Sequence, residues 1–438
     1  MTPRAPHHPG LPRPHAGRTG PRAALGVVAL SGLALTACGG GDDASAEAQD
    51  GEITGSVTLQ TWALTPSYTD YLDDVIEAFE EAHPGTEVTL LDQPGDGYSD
   101  QVLTQAAAGE LPDVVNLPPD FALPLAQEGM LLDVAAADET LRDTYVEGGI
   151  QAYEFEGLEG VYGYPWYLNT DINYWNIDKL ESCGLDPENP PADLDELFEQ
   201  AAVMHDECDG EEHLISARPG LGTFTLAGIE ILDDAGDEFV FAVPEAVEIL
   251  DRYRDAYAEG HMPSQVLNDD YLGNATMFTE GQVAWTTGGG TAMGDFITNN
   301  PSLEGNVAVS PALDTPPLYV QGFSVAADSD NPATALALAQ WFTNAENQEA
   351  FAAEVNIFPS TIASEDSEEL AESDGTPEDD ARVLAFESIS QAEVVQPFAI
   401  NEAMTDYFNQ QLSLAISGDI TSEEALETAQ ERMNQLLD

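Results

Sequence analysis

From Gly160 to Asn176 the chain reads Gly-Val-Tyr-Gly-Tyr-Pro-Trp-Tyr-Leu-Asn-Thr-Asp-Ile-Asn-Tyr-Trp-Asn. The stretch opens as a glycine-aromatic segment and passes through Pro165. It ends in alternating apolar and polar residues, Ile172, Tyr174 and Trp175 among them, that suit a strand. A chain that changes character in so few residues fits a segment leaving one folded unit and entering another. At the change stand Trp166, Tyr167, Asn169 and Asp171, flat faces and short polar groups of the kind that hold a small polar molecule.

Length and charge narrow the rest. A chain of 438 residues is too long for one ordinary core, so two domains are expected. It carries 81 acidic residues against 11 basic ones, and Lys179 is its only lysine. Arg4, Arg13, Arg18 and Arg22 precede residue 38 and no acidic residue does, leaving seven basic residues against all 81 acidic ones beyond that point. A field of that sign excludes nucleic acid and an anionic membrane surface as partners. Apolar content of 43% argues against disorder, so the charge belongs on a solvated surface. Self-repulsion on this scale is relieved only by screening, and the Debye length falls to roughly 3 Å at 1 M salt. We read the surface as an adaptation to a saline milieu rather than a device for solubility alone. The thermal midpoint of the mature protein is therefore expected to rise between low and molar salt; a midpoint indifferent to salt would contradict this reading.

The amino terminus states where the surface works. Residues 1–22 are polar, proline-rich and arginine-bearing, and Ala23–Leu35 is an apolar run too short to span a bilayer. It ends Leu35-Thr36-Ala37-Cys38 before three glycines. This resembles a bacterial lipobox, which implies removal of residues 1–37 and lipid modification of Cys38, leaving an extracytoplasmic protein anchored to the outer face of the cell membrane. Residues 38–55, with little that could pack, suit a flexible tether. Cys183 and Cys208 remain; in an oxidising exterior a pair of cysteines is expected to be bonded. The alternative, a metal site that adds His205 and His213, lacks the paired short spacings of structural zinc, and no metal or cofactor is expected.

Past the tether the pattern is strand, helix, strand: Ser56 to Trp62 alternates, Thr69 to Glu81 carries an apolar stripe, and Glu87 to Leu91 follows His83-Pro84-Gly85. In open α/β sheets ligands sit beyond the carboxyl ends of strands, so Trp62 points toward a cleft. A helix is expected over about Tyr98 to Ala108, then Leu111-Pro112-Asp113-Val114-Val115-Asn116. Asp193, with Glu196 three residues on, is a capping-box-like start for a helix to Asp206, and Pro244 to Glu259 reads as another helix. Asn331-Pro332 reads as a cap and first position, and Glu365 to Asp380 as a solvated acidic loop before two final helices, the last with a Thr421–Glu424 capping box.

Taken in order, these motifs resemble the family 1 extracellular solute-binding proteins, the substrate-capturing lipoproteins of sugar ABC importers. The resemblance rests on the Gly160–Asn176 stretch, the Pro112-Asp113 strand, Met277-Phe278-Thr279-Glu280-Gly281-Gln282-Val283-Ala284-Trp285, Gly322-Phe323, and Asn356-Ile357-Phe358-Pro359. It covers about residues 56–437, with Asp193-Leu194 where the family has a Thr-Trp pair and Trp285 where it has methionine. It implies an α/β fold of two lobes in the manner of periplasmic binding proteins. Lobe one would be 56–165 plus 310–365, lobe two 172–308 plus 380–438 with the C-terminal helices, and 166–171 a hinge crossing. The ligand would be a mono- or oligosaccharide held between closing lobes and passed to the permease of an ABC transporter, with the receptor a monomer.

Sugar rings offer C–H faces for stacking and hydroxyls for paired donors and acceptors. Trp62, Trp166, Tyr167, Phe224, Phe323 and Phe398 are the expected stacking groups, Asp120 and Asn169 the expected polar ones, Arg218 the cleft cation and Gly289 a point of close backbone approach. With Arg218 as the one such cation, phosphate esters are disfavoured, while an acidic sugar, a polyamine or a peptide stays open as an alternative ligand. An extracellular hydrolase is the other class. The chain has no Gly-x-Ser-x-Gly elbow and no His-Glu-x-x-His, and with 81 carboxylates their spacing carries no glycosidase signal; a non-enzyme is expected.

Overall fold

The computed structural model describes residues 48–49, 51–233, 235–267, 271–355, 357–365, 367–395 and 397–437. The lipobox at Cys38 and most of the tether lie outside the described residues.

Two hydrogen-bonded sheets organise the rest. The first has the order β2-β1-β3-β8-β4-β9 and is built from β1 (Gly55–Trp62), β2 (Thr86–Gln93), β3 (Val114–Leu117), β4 (Tyr164–Asn169), β8 (Tyr319–Val325) and β9 (Phe358–Pro359). The second, β6-β5-β7, comprises β5 (Asp171–Asn176), β6 (Trp285–Gly289) and β7 (Val307–Ser310). β1 pairs parallel with β2 and β3, as a βαβ unit requires, and the helix between β1 and β2 is Thr69–Ala82, with Leu72, Val75 and Phe79 buried on its stripe. Asp113, just before β3, accepts a hydrogen bond from the Thr58 N–H at 2.8 Å and so fixes β3 against β1. β8 runs antiparallel between β3 and β4.

The sequence pattern gives the helices Tyr98–Ala108 and Pro244–Glu259 with the bounds expected. Asp193 caps the helix Leu194–Glu207 by accepting from the Glu196 N–H at 2.8 Å, and the Glu196 carboxylate reaches back to the Ala192 N–H. Elsewhere long-range contacts override the local signal. Asn331 does not cap the helix Pro332–Phe342; its amide donates to the Ser56 carbonyl at 3.0 Å and anchors that turn to β1. The acidic tract is not loop throughout: Thr376 caps a helix, Pro377–Ile389, and Pro377 with Glu378, Asp379 and Asp380 forms its first turn. Proline at the first position and carboxylates at the positive end of the helix dipole are start signals, so three helices rather than two close the chain, the others being Glu402–Ile416 and Ser422–Leu437.

β5 has a core on each face. Ile172 and Tyr174 join the apolar cluster of the first sheet, whereas Trp175 joins a second cluster with the helices Leu194–Glu207, Pro244–Glu259 and the last two helices of the chain. The chain passes between the sheets at Asn169-Thr170-Asp171, at 311–318, and after β9. These crossings are tied to one another. Thr170 Oγ1 donates to the Pro317 carbonyl at 2.6 Å, the Leu318 N–H to the Glu393 carbonyl at 2.7 Å, and the Glu393 N–H to the Pro316 carbonyl at 3.0 Å. Cys183 and Cys208 form a disulfide, Cα atoms 5.3 Å apart, that joins the carboxyl ends of the helices Ile177–Ser182 and Leu194–Glu207. Among the described residues no group of three His, Cys, Asp or Glu side chains is arranged to hold a metal ion.

Candidate ligand cleft

β1 and β3 end side by side, and the expected lobe-one wall stands beyond them. Trp62, the last residue of β1, is half-buried and stacks on Tyr98 with ring centroids 5.3 Å apart and planes 9° apart; Phe121 lies 6.0 Å away. Tyr98 is held by its hydroxyl, which donates to the Asn116 carbonyl at 3.0 Å. Asp120 sits in the first turn of the helix Pro119–Gln127. It keeps open access to water, yet the protein around it raises its carboxyl above the usual carboxylate range, an effect that the N–H groups of Asp120 and Phe121 partly offset. The residue that joins this wall to the crossing is Tyr153. Its hydroxyl donates to the Leu117 carbonyl at 2.6 Å and is pushed up by burial and then by Asp120 and Tyr167. The β8 backbone approaches so closely that a Cβ on Gly322 would stand 2.4 Å from the Tyr153 hydroxyl.

The floor is the crossing. Asn169 ends β4 half-buried, its Oδ1 accepting from the Thr170 N–H at 2.9 Å, and its amide atoms lie 3.6 Å from where a Gly289 Cβ would be. The Gly289 carbonyl accepts from the Tyr174 hydroxyl at 2.6 Å, and the Tyr319 hydroxyl donates to Asp171 at 3.2 Å while its ring stays 48% exposed. Tyr167 is half-buried, its hydroxyl pushed up to about 12 chiefly by burial, with the Gln321 side chain opposing. Of the three glycines that the sequence puts after the strand, Gly288 and Gly289 are in fact the last residues of β6; Gly288 and Gly290 meet protein, since added Cβ atoms would be 2.9 Å from Ala292 and 2.7 Å from Ala385. Gly289 alone of the three keeps ordinary contact distances, as an approach by ligand would need.

Three expected stacking groups are corrected to core. Trp166 has no exposed surface; a β-bulge between Pro165 and Tyr167 turns it inward, where it stacks on Phe351 at 4.6 Å and meets Phe323 at 4.9 Å. Phe323 is equally buried against Phe342, and Phe224 packs edge-on to Phe408 inside the second core. Arg218 is not a cation presented to the cleft: its guanidinium donates to the carbonyls of Val266 and Leu267 and to Asn409 Oδ1 at 3.4–3.5 Å. Phe398 does face open space. It lines a cavity of about 560 Å³ with walls from both sides of the crossings, Gln127 and Gln151 on one and Thr225 and Ile231 on the other. A second cavity of about 530 Å³ is reached from Asp171, Asn173, Trp285 and Tyr319. Neither cavity includes Trp62 or Asp120, whose wall is open to solvent. Tyr98, Tyr153 and Tyr319 were not singled out in the sequence, whereas Phe121 ends the 117–121 loop that the resemblance places at the cleft; Tyr319 opens β8 just after a crossing between sheets.

Two α/β sheets, three tied crossings and an aromatic and carboxylate wall at the strand ends define a two-lobed ligand receptor. The chain belongs to the family of bacterial extracellular solute-binding proteins, which its residues 74–378 match. A maltooligosaccharide ABC transporter solute-binding lipoprotein of Streptococcus pneumoniae R6 is 28% identical over 189 residues, 43% of this chain and 42% of that protein, so the match spans about two fifths of the relative's length. The sn-glycerol-3-phosphate-binding periplasmic protein UgpB of Agrobacterium fabrum is 28% identical over 134 residues, 26% of this chain and 31% of that one. Among solved structures, one from Synechococcus sp. MITs9220, described as a "putative oligosaccharide periplasmic-binding protein", superposes with a TM-score of 0.77 at 26% identity, covering 87% of this chain and 98% of that one.

Proposed function

We propose that the protein is the lipid-anchored, extracytoplasmic receptor of an ABC importer and that it captures a mono- or oligosaccharide at the crossing between two lobes, 56–165 plus 310–365 and 172–308 plus 380–438. The observation that carries this reading is the placement of the stacked Trp62–Tyr98 pair and Asp120 at the ends of adjacent strands, with Asn169 and Gly289 meeting where the chain changes sheets. The aromatic faces suit sugar C–H surfaces, and the carboxylate and amide suit hydroxyls. The names of the pneumococcal and Synechococcus relatives support the carbohydrate assignment.

Capture would work by closure. An open form exposes each wall separately, and the closed form gains only from contacts that a ligand makes with both, so the differential affinity drives the motion. Bending would fall on the short crossings, which the Thr170–Pro317 and Leu318–Glu393 hydrogen bonds oblige to move together. Cys38 would hold the receptor to the membrane, permease subunits would accept the closed form, and the protein would act as a monomer without catalysing a reaction.

The test is a thermal-shift and tryptophan-fluorescence screen of the mature protein in molar salt against mono- and oligosaccharides, polyamines and peptides, with product analysis of every sugar tried. A saturable shift with one carbohydrate class and no products is expected. A shift with polyamine or peptide alone would leave a receptor but overturn the carbohydrate assignment, and hydrolysed sugar would overturn the receptor.

A further inference from the structure

Trp62 reaches the ligand wall at the last position of β1, and the chain beyond it turns at the surface, with Ala63, Thr65, Pro66 and Ser67 exposed. Ala63 has a φ of 56°, in the left-handed region that side chains disfavour. A tryptophan at the root of such a turn is placed only as well as the turn itself is held, and the helix that follows starts too late, at Thr69, to hold it.

One carboxylate supplies the support. Asp92, next to last in β2, pairs with Thr61 across the parallel ladder. Its Oδ1 accepts from the Thr61 hydroxyl at 2.8 Å and from the Leu64 N–H at 3.2 Å, and its Oδ2 accepts from the Thr65 N–H at 3.0 Å and the Thr65 hydroxyl at 2.7 Å. The donors lie on both sides of Trp62 in the chain. Burial pushes the carboxyl up, but these four donors outweigh it and hold it below the usual carboxylate range. A carboxylate has roughly four acceptor positions, so four donors leave Asp92 little to offer a ligand. The same corner carries the other half of the stack. The Ala63 N–H donates to the Gln93 carbonyl at 2.8 Å, a Cβ on Gly95 would meet Ala63 and the Trp62 ring at 3.7 Å, and the Gly95 carbonyl accepts from the Tyr98 N–H at 3.2 Å.

We infer that Asp92 is a positioning residue for the ligand wall: by clamping the turn on either side of Trp62 it sets the indole against Tyr98 before a ligand arrives, without touching the ligand itself. The inference rests on the reading of Trp62 as part of the ligand wall and adds what holds it there. A wall formed in advance loses less freedom on binding, so loosening the turn lowers affinity although no contact group is removed. An amide in place of the carboxylate keeps one acceptor oxygen and sets an NH2 group against the remaining donors.

The test reads Trp62 in the mature protein, in molar salt and well below the unfolding transition. Acrylamide quenching of tryptophan emission is compared between the native protein and Asp92→Asn, and again between the same two proteins carrying Trp62→Phe, which removes Trp62 from the five tryptophans of the chain. The share of quenching due to Trp62 is expected to rise at least about twofold in Asp92→Asn, and the pair without Trp62 to quench alike. Should Asp92→Asn not fold, Thr65→Val removes one exposed hydroxyl and is expected to move the same signal in the same direction, with Thr65→Ser keeping the native value. Calorimetry with maltotriose and arabinotriose gives the consequence for binding: Asp92→Asn is expected to weaken whichever sugar binds about tenfold, and to add almost nothing in a Trp62→Ala background. A Trp62 signal unchanged in both Asp92→Asn and Thr65→Val, or an affinity loss of equal size with and without Trp62, would overturn the clamp. Binding of neither sugar, with the quenching difference intact, would count against the carbohydrate reading and leave the clamp standing.

Discussion

Trp166→Ala is expected to lower the stability of the mature protein by about 3–5 kcal/mol, the range for emptying a large aromatic site in a packed core. Trp166 is fully buried, stacked on Phe351 with planes 10° apart and wedged against Phe323, so the surrounding side chains cannot collapse into the space without moving β4 and β8 together. Urea unfolding in molar salt measures the loss. Ligand affinity, measured well below the unfolding transition, is expected to change far less than stability, because the indole presents no surface to the cleft. Full stability combined with lost ligand response would reverse this and return Trp166 to the binding wall.

The Cys183–Cys208 bond is the second large term. Its sequence separation of 25 closes a loop holding the whole helix Leu194–Glu207, and in the chain-entropy model removing such a cross-link costs about 3.5 kcal/mol. The double variant Cys183→Ala/Cys208→Ala is expected to unfold at correspondingly lower denaturant than the oxidised protein. Reductant is expected to shift the native protein toward the variant and to leave the variant unchanged. Coincident unfolding curves for the two proteins would show that the bond does not constrain the unfolded chain.

The crossing was legible because its signal is local. The glycine-aromatic run, Pro165 and the alternation from Asp171 belong to neighbouring residues, and the chain does change sheets at Thr170, although residues 166–169 of the expected crossing, 166–171, belong to β4 of the first sheet. The direction of Trp166 was not legible, since a bulge breaks the period of two on which any inference of facing depends. Nor was the fate of Arg218, whose acceptors come from residues 266, 267 and 409, far along the chain. Asn331 looked like a cap because a cap is what Asn-Pro usually makes, but an amide within reach of the β1 backbone found the Ser56 carbonyl instead. The Trp62 platform was half legible: strand-end position singled out the tryptophan, while Tyr98 and Phe121 arrive from two other elements that only the fold brings together. Local chemistry thus located the change of sheets, and long-range packing chose which of the expected aromatics and cations stay accessible to solvent.

Closure around a saccharide at the crossing is tested most directly by calorimetric titration of the mature protein and of Asn169→Ala, in molar salt, with neutral oligosaccharides. Asn169 is half-buried at the surface where β4 passes into β5, and its neighbour across the sheets is Gly289, so truncating it removes a polar contact without emptying a core site. The account predicts saturable one-to-one binding to the native protein, weakened at least about tenfold, or 1.4 kcal/mol, in the variant. Saturable binding left unchanged by Asn169→Ala would place the ligand away from the crossing and contradict the account.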